Sequence, residues 1–312
     1  MRNIIGGHSV TEFLLVGFSD LSLPLQHLLF TLFLVIYIIT LLGNAIIIVT
    51  VTLDTHLHIP MYFFLWNLSI LEVCYISVTI PKVLGDLLSQ KRSITFIGCG
   101  GQMYFFILFA TSECFLLAVI AYDRHVAICN PLRYSTIMSS SICIQLVASS
   151  WVASVLLSMG QTGFIFSQPY CGPNTINHYF CDIPPVKNLA CQDTANNEIA
   201  IFVYNVAVII IPFLLILVSY VCVLKANLRI RSVEGRRKAF STCASHLLSV
   251  SLFYSTGTIT YLRPKSSYSL NNDRLLSSFY TIMTPMFNPL IYSLRNKEVK
   301  GALRRILSLR RV

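Results

Sequence analysis

Long apolar stretches alternate with short polar segments along the whole chain. Seven of these stretches reach or approach the ~20 residues that an α-helix needs to cross a bilayer. They lie near residues 25–51, 60–84, 98–124, 143–165, 199–224, 239–262 and 274–294. The segments between them leave no room for a separate soluble domain. The pattern therefore predicts an all-α membrane protein, a single domain (1–312) built as a bundle of seven transmembrane helices.

Composition supports a membrane protein. Of the 312 residues, 55% are hydrophobic and only 12% are charged, whereas a soluble domain carries roughly 25% charged residues. Residues 1–24 lack the basic, apolar and small-residue order of a cleavable signal peptide. We expect them to form an extracellular tail, followed by the helix bundle at 25–294 and a cytoplasmic helix and tail at 295–312.

The basic residues predict the orientation. With the N-terminus outside, 15 of the 23 Lys and Arg residues fall on the inner side together with four acidic residues, a net charge of +11. An excess of Lys and Arg marks cytoplasmic segments. Such a surface favours anionic membrane lipid and an acidic protein partner, and it gives no reason to expect nucleic acid. Residues 296–309 alternate basic and apolar faces, as in a helix lying on the inner membrane surface.

Two carboxylates lie inside predicted spans. Glu72 is roughly 18 Å and Glu113 roughly 16 Å from the inner face at the 1.5 Å helical rise. A carboxylate within the membrane is costly and is therefore a candidate functional group. One interpretation is a protonated Glu bonded to a neighbouring carbonyl. The other is a structural or allosteric sodium ion, the one cofactor we consider, which would be shared with Asn44, Asn288 and Ser69.

Cysteine use differs between the two sides. Cys99, Cys171, Cys181 and Cys191 fall on the predicted outer side, where four cysteines suit two disulfides with three pairings open. The alternative is a zinc site with His178 as a ligand, but no Cys-x-x-Cys spacing is present. The other six cysteines are interpreted as small apolar residues.

Five phrases carry a family resemblance. They read TEFLLVGFSD at 11–20, LHIPMYFFL at 57–65, AYDRHVAIC at 121–129, KAFSTCASHL at 238–247 and PMFNPLIYSLRN at 285–296. In this order they resemble the odorant receptors, a branch of the rhodopsin-like (class A) G-protein-coupled receptors. The chain departs from the family pattern at Ile120, His125 and Glu72, where Met, Tyr and Asp are usual, and its tail has no Asn-x-Ser/Thr site.

The resemblance implies a switch at the inner end of the bundle. Arg124 would hold a latch that opens to admit a G protein, Pro289 would provide a hinge, and we expect His246 to contact the Asp123–Arg124 pair. The residues assigned to coupling are Asp123, Arg124, His125, Tyr220, His246, Asn288, Pro289 and Tyr292. The family's HYFCD loop, at 178–182 here, implies the disulfides Cys99–Cys181 and Cys171–Cys191.

Helical phase predicts a ligand pocket between the outer halves of spans 3, 5, 6 and 7, where the family contacts odorants. The predicted lining is Met103, Phe106, Ile107, Ala110, Thr111, Tyr204, Asn205, Val208, Tyr254, Gly257, Thr258, Tyr261, Ser278 and Thr281. No acid stands at Phe106 to pair with an amine, and no Lys in span 7 could form a retinal Schiff base. We expect a small, neutral, hydrophobic ligand held by one or two hydrogen bonds.

The resemblance implies a non-enzymatic odorant receptor. Its partners would be a volatile ligand, an olfactory stimulatory G protein that raises cyclic AMP, and membrane lipid, at the plasma membrane of olfactory cilia. A transporter or channel is the alternative from another class, although the spans show no inverted repeat. An intramembrane enzyme lacks a His-Glu-x-x-His or Gly-x-Ser-x-Gly motif. A peptide or lipid receptor is the alternative within the receptor class.

Overall fold

The computed structural model describes residues 4–5, 8–89, 91–170, 173–191, 195–228, 233–261, 274, 277–291 and 297–309. This part of the chain is mostly helical. Its helices are α1 (Leu23–Leu53), α2 (Pro60–Leu88), α3 (Phe96–Cys129), α4 (Tyr134–Ile137), α5 (Ser140–Phe166), α6 (Ile183–Lys187), α7 (Ala195–Asn205), α8 (Ile211–Leu228), α9 (Val233–Tyr261), α10 (Thr284–Pro289) and α11 (Lys297–Leu309).

Five helices in the described part of the chain are long and apolar enough to cross a membrane. They are α1, α2, α3, α5 and the helical segment from Ile199 to Leu228, which includes part of α7, a π turn and α8. The first five predicted spans are therefore present. The helices extend beyond them; α3, for example, continues five residues past the predicted end at Arg124. Predicted span 6 lies in α9, and predicted span 7 is helical from Phe279 to Pro289.

Local sequence explains where several helices begin. Proline stands in the first turn of α1 and α2, where its missing N–H is not needed. Thr95 caps α3, because its hydroxyl accepts a hydrogen bond from the Gly98 amide at 3.0 Å.

Among the described residues, π-helical turns of five residues interrupt the regular helices at Val206–Ile210, between α7 and α8, and at Phe279–Met283, before α10. Each precedes a proline, Pro212 and Pro285. A proline cannot donate to the carbonyl four residues earlier, and its ring clashes with that carbonyl. Val208 and Thr281, which carry those carbonyls, both lie in the π turns. The wider turn accommodates the proline and rotates the residues that follow.

The N-terminal tail is part of a sheet at one end of the bundle, which we call the tail end. After the two-residue strands β1 (Ile4–Ile5) and β2 (His8–Ser9), strand β3 (Glu12–Leu15) pairs antiparallel with β4 (Ser93–Thr95) and parallel with β5 (Thr175–Ile176). Along β3 the side chains alternate, with Phe13 and Leu15 buried. The expected tail is thus an ordered strand.

Aromatic packing fixes this tail sheet (β3, β4 and β5) to the bundle. The Phe13 ring lies 5.8 Å from the rings of both Phe96 and Tyr170. Phe18 stacks on Tyr179 at 5.4 Å. Gly17, which directly precedes Phe18, has φ +52°. A residue with a side chain would be strained in this backbone conformation, and its Cβ would lie close to Tyr179.

At the other end, α11 packs against the chain that follows α1. Val299 and Ala302 are buried, and Arg305 donates to Asp54 Oδ2 at 2.9 Å from Nε and 2.6 Å from Nη2. This hydrogen-bonded guanidinium lowers the pKa of Asp54 to about 2. The helix expected at 296–309 is therefore present as α11, while its contact with the membrane remains a prediction.

Candidate functional site

A cavity lies between α3, α6, α7, the π turn Val206–Ile210 and α9, and its empty space, which opens partly to solvent, is about 520 Å³. We call it the main cavity. Its lining residues are Phe106, Ile107, Ala110, Thr111, Cys114, Ile183, Tyr204, Asn205, Val208, Ile209, Phe253, Tyr254, Gly257 and Tyr261. Ten of these belong to the fourteen residues predicted from helical phase.

The other four predicted residues lie elsewhere. Met103 is fully buried away from this cavity, and Thr258 is exposed on α9, one step of about 100° around the helix from Gly257. The Thr281 hydroxyl lies 2.8 Å from the hydroxyl of Tyr179, which covers it. Ser278 donates to the Arg274 carbonyl at 2.9 Å.

Four lining residues were not predicted: Cys114, Ile183, Ile209 and Phe253. Cys114 follows Thr111 by one helical turn, so the spacing alone could have indicated it. Ile209 faces the cavity because it lies in the π turn Val206–Ile210. Ile183 reaches the cavity from the short helix α6, and only the folded structure shows this.

Hydrogen bonds organise the polar atoms of the cavity wall. The hydroxyls of Thr111 and Tyr204 lie 3.0 Å apart. Tyr254 donates its hydroxyl hydrogen across to the Cys114 carbonyl at 3.2 Å. The Asn205 amide donates to the Tyr261 carbonyl at 3.1 Å. The remaining wall is apolar.

The loop after α5 closes the cavity at the tail end. Tyr261 donates to both carboxylate oxygens of Asp182, at 2.9 and 3.1 Å. We call residues 178–182 of this loop the roof of the cavity. His178 lies in the roof, and its Nε2 is 2.9 Å from the Ser277 hydroxyl. Burial lowers the pKa of His178 to about 3, so this imidazole is neutral at physiological pH.

A disulfide joins this roof to α3. Cys99 and Cys181 are bonded, with 5.5 Å between their Cα atoms, and the Cys181 amide donates to Gln102 Oε1 at 3.0 Å. The first predicted pairing is thus confirmed, and these two sulfurs are not zinc ligands. Cys191 is also disulfide-bonded, while Cys171, its predicted partner, lies outside the described residues.

The two membrane carboxylates meet at a single side chain. Asn288 of α10 donates from Nδ2 to Glu72 Oε1 at 2.5 Å and to Glu113 Oε1 at 3.2 Å. Among the described residues, five nearby buried oxygens have no hydrogen-bond partner. These atoms are Asn44 Oδ1, Glu72 Oε2, Ser112 Oγ, Glu113 Oε2 and Asn288 Oδ1. We call this group the carboxylate cluster.

The donor set of the carboxylate cluster suits a hard cation, since carboxylate and amide oxygens are the ligands such ions take. Unpartnered buried oxygens are themselves costly, and a cation would satisfy them. Ser69, also predicted here, is buried one turn before Glu72. Gly43 brings α1 against α10 beside this cluster, because a Cβ on Gly43 would lie 3.1 Å from Pro289 Cβ.

Near the C-terminal end of α3, Asp123 is fully buried, and its carboxylate accepts hydrogen bonds from two residues. Arg124 donates to Asp123 Oδ2 from Nε at 2.9 Å and also from Nη2. Tyr134 of α4 donates to Oδ1 at 2.7 Å. Sequence reasoning did not include Tyr134, because nothing in its local sequence marks a hydroxyl in a short helix as a switch contact.

The expected contact of His246 needs correction. His246 Nδ1 lies 2.6 Å from the Tyr220 hydroxyl, and the two rings stack. Its described side-chain bond therefore goes to α8 and not to the Asp123–Arg124 pair, because this face of α9 points toward Tyr220. His125 stacks on Tyr122. Tyr292 lies outside the described residues.

Comparison with known proteins assigns the chain to a class. A family model described as "Olfactory receptor" matches residues 33–310. The chain belongs to the olfactory receptor family. It is 52% identical to human "Olfactory receptor 10A7" over 96% of this chain and 94% of that protein. It is 54% identical to human "Olfactory receptor 10C1", over 96% and 95% respectively.

A third relative, human "Olfactory receptor 6P1", is 50% identical over 98% of this chain and 96% of its own length. Olfactory receptors are non-enzymatic G-protein-coupled receptors, so the intramembrane enzyme is excluded. Family membership and the apolar helices make this chain a multi-pass membrane protein. An odorant ligand and a G protein are the partners that the family implies.

Proposed function

We propose that this protein is an odorant receptor that binds a small, neutral, hydrophobic volatile compound in the main cavity and activates a stimulatory G protein. Seven helices would cross the plasma membrane of olfactory cilia, with the tail end outside. The response would be a rise in cyclic AMP.

The main cavity carries this proposal. Its lining is mainly aliphatic and aromatic with a few hydroxyls and one amide, which is the composition typical of small-molecule sites. The described lining residues include no acidic or basic side chain, so a charged ligand would lose hydration without gaining a partner among them. A volatile compound of modest size with few polar atoms suits such a wall.

The same helices connect the cavity to the switch. Thr111 and Arg124 lie on α3, while Tyr254 and His246 lie on α9, about 12 Å apart along that helix at 1.5 Å per residue. The Tyr254–Cys114 bond joins the two helices at the cavity floor. A ligand that binds one arrangement of this joint better than another shifts the equilibrium between them.

In the active arrangement, Arg124 would leave Asp123 and the inner half of α9 would move outward. The cleft thus opened would receive the G protein. The predicted inner charge of +11 supports this placement, because such a surface attracts anionic lipid and acidic partner segments.

The carboxylate cluster supports a sodium ion within the bundle. Glu72, Glu113, Asn288 and Asn44 would hold it through their oxygens, and it would favour the arrangement in which α2, α3 and α10 are drawn together. The five unpartnered oxygens support this assignment.

The test is cyclic AMP in cells that express the receptor with an olfactory G protein, against a panel of volatile compounds. Arg124→Ala is compared at equal surface staining, and Arg133→Ala, an exposed arginine of the next segment, serves as the control. We expect dose-dependent signals that disappear in Arg124→Ala and persist in Arg133→Ala. A ligand-dependent current in cells without the G protein would instead favour a channel.

A further inference from the structure

Four hydroxyl groups line the main cavity, on Thr111, Tyr204, Tyr254 and Tyr261. Two of them use their hydrogens within the protein. Tyr254 donates to the Cys114 carbonyl, and Tyr261 donates to the Asp182 carboxylate. Their hydrogens are therefore engaged before any ligand arrives.

Thr111 and Tyr204 differ, because their hydroxyls bond to each other at 3.0 Å. Two hydroxyl groups bring two hydrogens, and a bond between them uses one. Whichever group donates, the other keeps its hydrogen. The Tyr204 hydroxyl also interacts with the side chain of Ser158. Thr111 is 1% exposed, so water competes little for this hydrogen.

Ser158 of α5 adds an independent observation. It is fully buried and its side chain interacts with the Tyr204 hydroxyl, although its Oγ lies outside good hydrogen-bond geometry. The three hydroxyls bring three hydrogens, and the two contacts made through Tyr204 use two of them. One hydrogen therefore stays unused, and a buried donor without a partner is costly.

We propose that the Thr111–Tyr204 pair recognises a hydrogen-bond acceptor on the ligand, and that the preferred class is a neutral aliphatic carbonyl compound, a ketone or an aldehyde. The carbonyl oxygen accepts the hydrogen that the pair leaves unused, and the alkyl part fills the apolar wall formed by Phe106, Val208 and Phe253. This inference rests on the proposed function of the main cavity.

A carbonyl fits better than a hydrocarbon for a physical reason. The carbonyl oxygen brings lone pairs that accept the unused hydrogen, whereas a hydrocarbon leaves that hydrogen unsatisfied. The expected order of potency is the ketone before the hydrocarbon of the same shape.

The experiment compares isosteric pairs in which only the oxygen differs, such as 2-octanone and 2-methyl-1-octene. Cyclic AMP and the ligand-induced rise in melting temperature of the purified receptor are both measured. The unmodified receptor should respond to the ketone at a concentration about five- to tenfold lower than to the olefin, as one hydrogen bond in a dry site implies.

Three variants test the hydrogen count. Thr111→Val and Tyr204→Phe each leave one hydroxyl whose hydrogen is unused, so each should keep part of the ketone preference. The double variant T111V/Y204F has no such hydrogen, and the ratio should fall to about one. The control T258V/Y104F removes one Thr and one Tyr hydroxyl from residues outside the lining and should keep the full ratio.

The outcomes separate the two proposals. A double variant that binds both compounds but keeps the ketone preference overturns the assignment of the pair, as does an unmodified receptor that prefers the olefin. Stabilisation by the ketone without any cyclic AMP contradicts the signalling proposal, while the ratio of melting shifts still tests the pair. If no compound of the series produces either signal, both proposals fail.

Discussion

The amide of Asn288 donates to a carboxylate oxygen of Glu72 at 2.5 Å, although 216 residues separate them in the chain. The same amide reaches Glu113 of α3. One side chain of α10 thus connects two buried carboxylates on two other helices. This arrangement holds together three helices whose relative movement we propose to be part of signalling.

Sodium should stabilise the receptor through this cluster. Replacing choline chloride by sodium chloride at equal ionic strength should raise the melting temperature by about 2–4 °C, if sodium is present at roughly ten times its dissociation constant. Glu72→Gln should abolish the shift, and Glu12→Gln, the same change at an exposed tail position, should retain it. An unchanged sodium-induced rise in melting temperature in Glu72→Gln would show that sodium does not bind at this cluster.

Tyr134→Phe should raise basal cyclic AMP. The substitution removes the hydroxyl that donates to Asp123 and leaves Arg124 as the carboxylate's main partner. Loss of about 1 kcal/mol from the closed arrangement would increase a scarce open population about fivefold. The comparison is Tyr122→Phe, an exposed tyrosine of α3 next to Asp123, at matched surface staining. Equal basal signals in the two variants would show that Tyr134 does not restrain the switch.

Phe13→Ala should destabilise the receptor far more than Leu14→Ala. Phe13 is fully buried between Phe96 and Tyr170, whereas its neighbour Leu14 is 44% exposed. Truncating a buried Phe costs about 3–5 kcal/mol. We expect Phe13→Ala to lose most surface staining, and Leu14→Ala to lose little. Similar losses would mean that the tail sheet contributes little to stability.

The Arg305–Asp54 pair should make stability depend on pH at the acidic end. The folded pKa of Asp54, about 2, lies below its ordinary value of 3.8, so the pair stabilises the fold fully above pH 4 and loses this effect as the pH falls toward 2. Arg305→Ala should lower the melting temperature at pH 7, and the difference from the unmodified receptor should shrink below pH 4. The control is Arg304→Ala, at the exposed neighbouring position. An equal fall in melting temperature in this variant would assign the effect to net charge.

The helices could be predicted because hydrophobicity alone specifies them. An apolar stretch of about 20 residues has few alternatives to a membrane helix, and proline at residues 24 and 60 marks helix starts. The predicted ends were shorter than the helices, because a helix such as α3 continues into polar sequence as far as Cys129. A hydropathy profile does not show that the helix continues into this polar sequence.

The tail sheet could not be predicted in the same way. Strands β3, β4 and β5 contain four, three and two residues, too few to show a clear alternation. Their pairing joins segments far apart in the chain, and only the folded helices bring these segments together. The sequence therefore predicted residues 1–24 only as an extracellular tail.

The main cavity was largely accessible to prediction, because one face of a regular helix follows from spacing. Prediction failed where regular spacing fails or another element intervenes. The π turn brings Ile209 to the cavity beside Val208. Tyr179 covers Thr281, and the partner of His246 depends on how α8 and α9 face each other, which no local pattern records.

The pairing of Leu14 and Leu15 with Thr175 and Ile176 has a consequence for biosynthesis. Strand β3 is synthesised before β5, which follows about 160 residues later. Until then, the aromatic side of the tail has no finished surface on which to pack. During synthesis this segment therefore stays unpaired, exposed to chaperones and to aggregation. A tag fused to this protein will interfere least if it is attached ahead of residue 12, so that β3 can still enter its place between two strands.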